Sequence, residues 1–150
     1  MTGYSDFRKV VIHRRIQATP FELFDAWSDP EGMRAWMCPG NILSVEVRMD
    51  FRVGGALVVT MRDSAGTYEH HGEFTIIERP SRLAFTWIAA ATDGLPTLVT
   101  VEFSAVSPTE SELVLTHEHF PRQGPADQYR AGWDEIVGKL EQYWKSRRPA

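Results

Sequence analysis

Hydrophobic positions along the chain follow two periods, and the switches between them mark its elements. Over residues 9–17, Val10, Ile12 and Ile16 share one parity and His13 and Arg15 the other, which predicts a strand with one buried face. Thr19-Pro20-Phe21-Glu22 then opens a short helix. The threonine can cap it, proline suits its first turn, and the glutamate completes a capping box. Phe21, Leu23, Phe24 and Trp27 give this helix its apolar side, and Asp29-Pro30 starts a second one with Met33, Trp36 and Met37 at helical spacing. After Cys38-Pro39-Gly40-Asn41 the period becomes two. Leu43, Val45, Val47 and Met49 alternate with polar residues, and Gly54-Gly55 ends the run. Further strands are predicted over 57–61, 67–78, 83–88, 97–105 and 112–120, separated by turns rich in Asp, Ser, Gly and Pro. Residues 89–96 form the longest loop.

The last segment returns to helical spacing. Tyr129, Trp133, Ile136, Val137, Leu140 and Trp144 make one continuous face on a helix of about five turns, with Gly124-Pro125 at its start. The order is strand, two short helices, six strands and one long helix. Six strands joined by short turns predict an antiparallel meander. The apolar face of the last helix is the cover available for it. The predicted class is α+β, a single domain over residues 1–150. A curved sheet around one helix leaves a gap near the helix N-terminal half, and small ligands bind in such gaps.

Composition narrows the function classes. A chain of 150 residues with 43% apolar and 24% charged residues is an ordinary globular domain, able to bury roughly 70% of the surface exposed when unfolded. A net charge of −4, with the basic residues Lys145, Arg147 and Arg148 confined to the C-terminus, argues against a nucleic-acid partner. The single cysteine, Cys38, excludes an internal disulfide and suits a reducing cytoplasm. No apolar run approaches the ~20 residues a membrane span needs, and the first six residues lack a signal-peptide pattern.

Four stretches carry a resemblance to a known family. They are Ala18-Thr19-Pro20 leading into Phe24-Asp25-Ala26-Trp27; Asp29-Pro30-Glu31 followed by Trp36; Gly72-Glu73-Phe74 running through Glu78-Arg79-Pro80-Ser81-Arg82-Leu83 to Phe85-Thr86-Trp87; and Thr100-Val101-Glu102-Phe103, Leu115-Thr116-His117 and Gly132-Trp133. Their order and spacing resemble the START-like (SRPBCC) superfamily, in particular the branch named after the activator of heat-shock-protein-90 ATPase. The resemblance implies a helix-grip fold, in which a curved antiparallel sheet wraps a long C-terminal helix. Members bind varied apolar ligands, act as cyclases or aromatases, or assist a chaperone. No catalytic motif is shared across the branch, so no catalytic residue is carried over. Chaperone-activating members have an additional N-terminal domain, whereas about eight residues precede the first strand here; a chaperone partner is therefore not expected. A homodimer stays open.

Strand parity supplies the candidate chemistry. His70 shares parity with Phe74 and Ile76, and His117 and His119 share parity with Leu113 and Leu115, so all three histidines are expected to face the interior. His13 and His71 are expected to face solvent. Three inward histidines could ligate a metal, exchange protons or bond a polar ligand. They stand on distant strands without metal-site spacing, so neither metal nor cofactor is expected. Arg14 has inward parity, and a buried arginine must be paired; it could grip a ligand carboxylate, with a local bulge or solvent exposure as the plainer readings. Cys38 reads as an inert thiol. The leading expectation is a cavity for a small apolar or aromatic molecule. Its walls would be Trp36, Met37, Trp87, Tyr129 and Trp133, its polar end His70, His117 or His119, and its lid residues 89–96. The alternatives are a cyclase-, aromatase- or hydrolase-type enzyme using one of these histidines near Tyr129, and a chaperone-assisting module.

Overall fold

The computed structural model describes residues 9–147. Residues 1–6, Arg148 and the side chain of Arg147, on which the expectations for the two termini partly rest, lie outside the described residues. The chain opens with strand β1 (Lys9–Ile16), helices α1 (Pro20–Trp27) and α2 (Pro30–Trp36), and strands β2 (Ser44–Met49) and β3 (Ala56–Arg62). Strands β4 (Thr67–Glu78), β5 (Arg82–Trp87), β6 (Thr97–Ala105) and β7 (Ser111–Glu118) follow, and helix α3 (Gln123–Arg147) ends the described chain. The capping box of α1 forms as its sequence predicts: Thr19 accepts from the Glu22 backbone N–H at 3.2 Å, and Glu22 accepts from the Thr19 N–H at 2.8 Å. Asp29 caps α2. Helix α3 starts before Gly124-Pro125, and its 25 residues make about seven turns rather than five.

The strands form one antiparallel sheet in the order β1-β7-β6-β5-β4-β3-β2. The six later strands are the predicted meander, and β1 adds itself beside β7. Strand β4 makes the curvature. Its first half, Thr67 to Glu73, pairs with β3, and its second half, from Phe74, pairs with β5. Gly72 stands at the handover, where an added Cβ would come within 1.7 Å of the Thr86 carbonyl oxygen, so no side chain fits this bend. A register shift between Phe74 and Ile76 then reverses the parity, and Ile77 rather than Ile76 packs on the core.

The concave face closes on α3 through Trp133, Ile136, Val137 and Leu140, all buried. Helices α1 and α2 add Leu23, Phe24, Trp27, Met33 and Trp36 to the same core. Arg14, the inward charge of β1, is half-buried between two carboxylates of α3, Asp134 at 2.9 Å and Glu141 at 3.2 Å. It anchors the edge strand to the helix, so neither a bulge nor a ligand is needed to account for it. This is the helix-grip α+β fold. No helix among the described residues is long and apolar enough to cross a membrane.

Candidate functional site

Four ring side chains converge near the N-terminal half of α3. His70 on β4, Trp87 on β5, and Tyr129 and Trp133 on α3 line a half-enclosed cavity of about 160 Å³. Tyr129 and Trp133 lie four residues apart and so share a helix face. The β4 bend brings His70 flat against Trp87, with ring centroids 5.0 Å apart and planes inclined by 25°. Pro39, Met61, Ala91, Gln128, Gly132 and Ile136 complete the lining. A second groove of about 290 Å³ adjoins the cavity and shares Pro39, Met61, His70 and Ala91 with it.

No lining side chain is a carboxylate, ammonium or guanidinium. Burial lowers the His70 pKa against a smaller opposing effect of its bond to Val59, and burial raises that of Tyr129 to about 12, so both rings are neutral at pH 7. The His70 Nδ1 lies 3.3 Å from the Val59 carbonyl oxygen. A carbonyl only accepts, so Nδ1 carries the proton and Nε2 keeps its lone pair. The Trp87 indole N–H donates to the Tyr129 hydroxyl oxygen at 3.2 Å. An indole N–H only donates, which leaves the tyrosine hydrogen available. The cavity thus has apolar aromatic walls, a free acceptor on His70 and a free donor on Tyr129, with the exposed amide of Gln128 as the other polar side chain of its lining.

His117 lies behind this wall, fully buried and outside the lining. The Trp133 indole N–H donates to its Nδ1 at 2.9 Å, so Nε2 must carry the proton and donate to Thr97 Oγ1 at 2.7 Å. The threonine hydroxyl then donates to the Trp87 carbonyl at 2.6 Å. Each side-chain polar atom of this Trp133–His117–Thr97 relay has a partner. Burial pushes the His117 pKa down to about 3, which keeps the imidazole neutral. The expectation that His117 forms a polar cavity end is corrected: both its nitrogens are committed to bracing Trp133 against β6.

Three other expectations are corrected. His119 does not face inward. Strand β7 ends at Glu118, His119 turns through a left-handed φ of 73°, and its side chain is 65% exposed, so Phe120 occupies the interior instead. Trp36 and Met37 are buried without lining the cavity; Trp36 packs edge-on against Trp27 at 4.8 Å, deeper in the core. The expected wall therefore reduces to Trp87, Tyr129 and Trp133, with His70 as its histidine. Met61, Ile136 and Gly132 were missed, although their parity and helical spacing already placed them inward.

The rim differs on its two sides. Pro39 is held from both flanks, because Gly40 N–H donates to Glu135 at 2.6 Å and Lys139 Nζ donates to the Cys38 carbonyl. The Cys38 thiol itself donates to the Ile42 carbonyl at 3.3 Å. Across the mouth, the loop after β5 carries a 3-10 helix, Ala90–Thr92, that presents Ala91 to the cavity. Arg122, just before α3, grips the Asp93 carboxylate with two bonds of 3.0 and 3.1 Å, and this hydrogen bonding, helped by the guanidinium charge, holds the Asp93 pKa low. Among the described residues, no group of three or more His, Cys, Asp or Glu side chains could hold a metal ion.

Comparison with known proteins agrees with this architecture. The family model described as activator of Hsp90 ATPase homolog 1-like protein matches residues 17–145. The chain belongs to this family. An HSP90 activator from Plasmodium falciparum is 23% identical, with 92% of this chain and 96% of that one covered and a TM-score of 0.75. An AHSA1 protein from Silicibacter pomeroyi is 21% identical over 93% and 99% of the two chains, with a TM-score of 0.79. A protein from Arthrobacter aurescens solved by NMR is 20% identical over 98% and 91%, with a TM-score of 0.81. At these identities the likeness shows the fold alone. No curated protein matches the sequence.

Proposed function

We propose that this AHSA1-family domain binds a small, uncharged aromatic or apolar molecule in the cavity at the N-terminal half of α3. The carrying observation is a half-enclosed space walled by His70, Trp87, Tyr129 and Trp133 with no charged side chain in its lining. A buried ion there would lack a counter-charge, so the site disfavours ionised ligands. The volume suits a single ring; a dry cavity of about 150 Å³ is large enough for benzene. A longer ligand would continue into the adjoining groove past His70. The loop carrying Ala90–Thr92 is the lid in this reading, because Ala91 lines both spaces and Arg122 is its clasp. The lone Cys38 suits work in the reducing cytoplasm.

The test is a thermal-shift screen of neutral aromatic compounds against charged ones of the same size. Hits are then titrated against Trp87→Ala and Tyr129→Ala. Neutral rings should raise the melting temperature, and both substitutions should weaken them at least about tenfold, since each removes apolar contact worth more than 1.4 kcal/mol. A hit indifferent to both substitutions would move the site elsewhere. Activation of a chaperone is the second reading, supported by the family and by the likeness to the Plasmodium falciparum HSP90 activator. Stimulation of a chaperone's ATPase by this chain, with no ligand in the screen, would favour it.

A further inference from the structure

The polar groups of the cavity point to a narrower ligand class. Resting on the ring-binding reading above, we infer that the ligand is a neutral hydroxyarene whose hydroxyl group sits between His70 and Tyr129.

The argument starts at Trp87. His70 stacks on its face, and Tyr129 takes its indole N–H, so both polar residues are registered against one rigid ring. Each has spent one hydrogen-bonding function on the protein. His70 gives its Nδ1 proton to Val59, and Tyr129 receives the Trp87 proton. What remains is complementary: a lone pair on His70 Nε2 and a hydrogen on the Tyr129 hydroxyl, neither with a partner among the described residues. A hydroxyl is the smallest group that both donates and accepts. Its hydrogen satisfies His70, and its oxygen accepts from Tyr129. An ether or ketone satisfies Tyr129 only, and an amine cation or a carboxylate meets no counter-charge. The aromatic part follows from the walls, since Trp87 and Trp133 offer faces and edges to a flat ring. The cavity's size limits the buried portion to about one ring.

The experiment uses three rings of similar size with the full chain, followed by fluorine NMR titration: 4-fluorophenol, 4-fluoroanisole and fluorobenzene. A net hydrogen bond changes affinity roughly three- to tenfold. The phenol should therefore bind roughly tenfold or more tighter than fluorobenzene, with the anisole, which only accepts, in between. His70→Phe should bring the phenol down to the anisole, and Tyr129→Phe should bring the anisole down to fluorobenzene. Fluorobenzene, which makes neither bond, is the reference in each variant against which the other two rings are compared. A variant that loses fluorobenzene has lost the cavity rather than one bond, and the wild-type ranking then decides alone. Equal affinity for the three rings would overturn the hydroxyarene assignment while leaving the ring-binding site standing. Binding of none of them would overturn both.

Discussion

Both nitrogens of His117 are committed, and this makes the residue a pH-dependent part of the scaffold. Its neutral form accepts from Trp133 and donates to Thr97; a protonated ring cannot accept, so acid breaks the Trp133 bond. The folded-state pKa is about 3 against an ordinary 6.5. Between those values the unfolded chain binds the extra proton and the folded chain does not. Stability therefore rises with pH across that window and is lost as pH falls through it, by up to about 1.4 kcal/mol per unit. His70 is lowered as well and adds to the same slope. His117→Phe isolates the His117 part. Denaturant titrations should show the variant about 1–3 kcal/mol less stable at pH 7, because the Trp133 N–H is orphaned, and less sensitive to acid. An unchanged acid slope would contradict the bonding scheme. Parity made His117 legible as an inward residue, but not this role, because its partners stand 16 and 20 positions away. His119 failed for a local reason: a left-handed residue after the strand ended the alternation that parity assumes.

At the scale of elements, most of the architecture could be read from short-range signals. The α1 capping box, the Asp29-Pro30 restart of α2 and the alternation in β4, β6 and β7 are local patterns with local causes. Pairing of β1 with β7 was not legible, because nothing in either strand names its neighbour. The β4 bulge was invisible for a similar reason: Ile76 and Ile77 are both apolar, so a one-residue slip leaves no mark in the pattern. Helical spacing put Trp36 and Met37 inward, but cannot tell which end of a shared interior they reach. For α3 the anchor is Trp133, 1% exposed and bonded to β7 through His117. Trp133→Ala removes a large buried ring and leaves His117 Nδ1 without its donor. The loss should be roughly 3–5 kcal/mol, read from chemical denaturation with the slope of the transition unchanged. A variant as stable as the parent would mean that α3 is held elsewhere, and the description of the grip would be wrong.

For the molecule as a whole, the proposed ring-binding function sets stability against binding, and Gly132 is where the two meet. A glycine inside a helix costs about 1 kcal/mol relative to alanine. Some glycines are required by close backbone approach, as Gly72 is, but Gly132 is not. A Cβ there would meet nothing nearer than the Pro39 Cβ at 3.9 Å, an ordinary contact. What the missing side chain leaves is room, because Gly132 lines the cavity. Gly132→Ala should therefore raise stability by up to about 1 kcal/mol, a rise of roughly 2–4 °C in melting temperature for a chain of this size. The same methyl narrows the site. A ligand at one hundred times its dissociation constant stabilises the folded state by about 2.7 kcal/mol; if narrowing weakens binding tenfold, the same concentration contributes only about 1.4 kcal/mol. The alanine variant should thus melt higher than the parent without ligand and gain less from it, and Gly132→Leu should remain folded and gain almost nothing. Differential scanning calorimetry with and without a saturating neutral ring measures both quantities in one pair of scans. A leucine variant that keeps the parent's full ligand-induced shift would show that the ring binds outside this cavity. An alanine variant less stable than the parent would show that the helix needs its glycine for packing rather than for the space beside it.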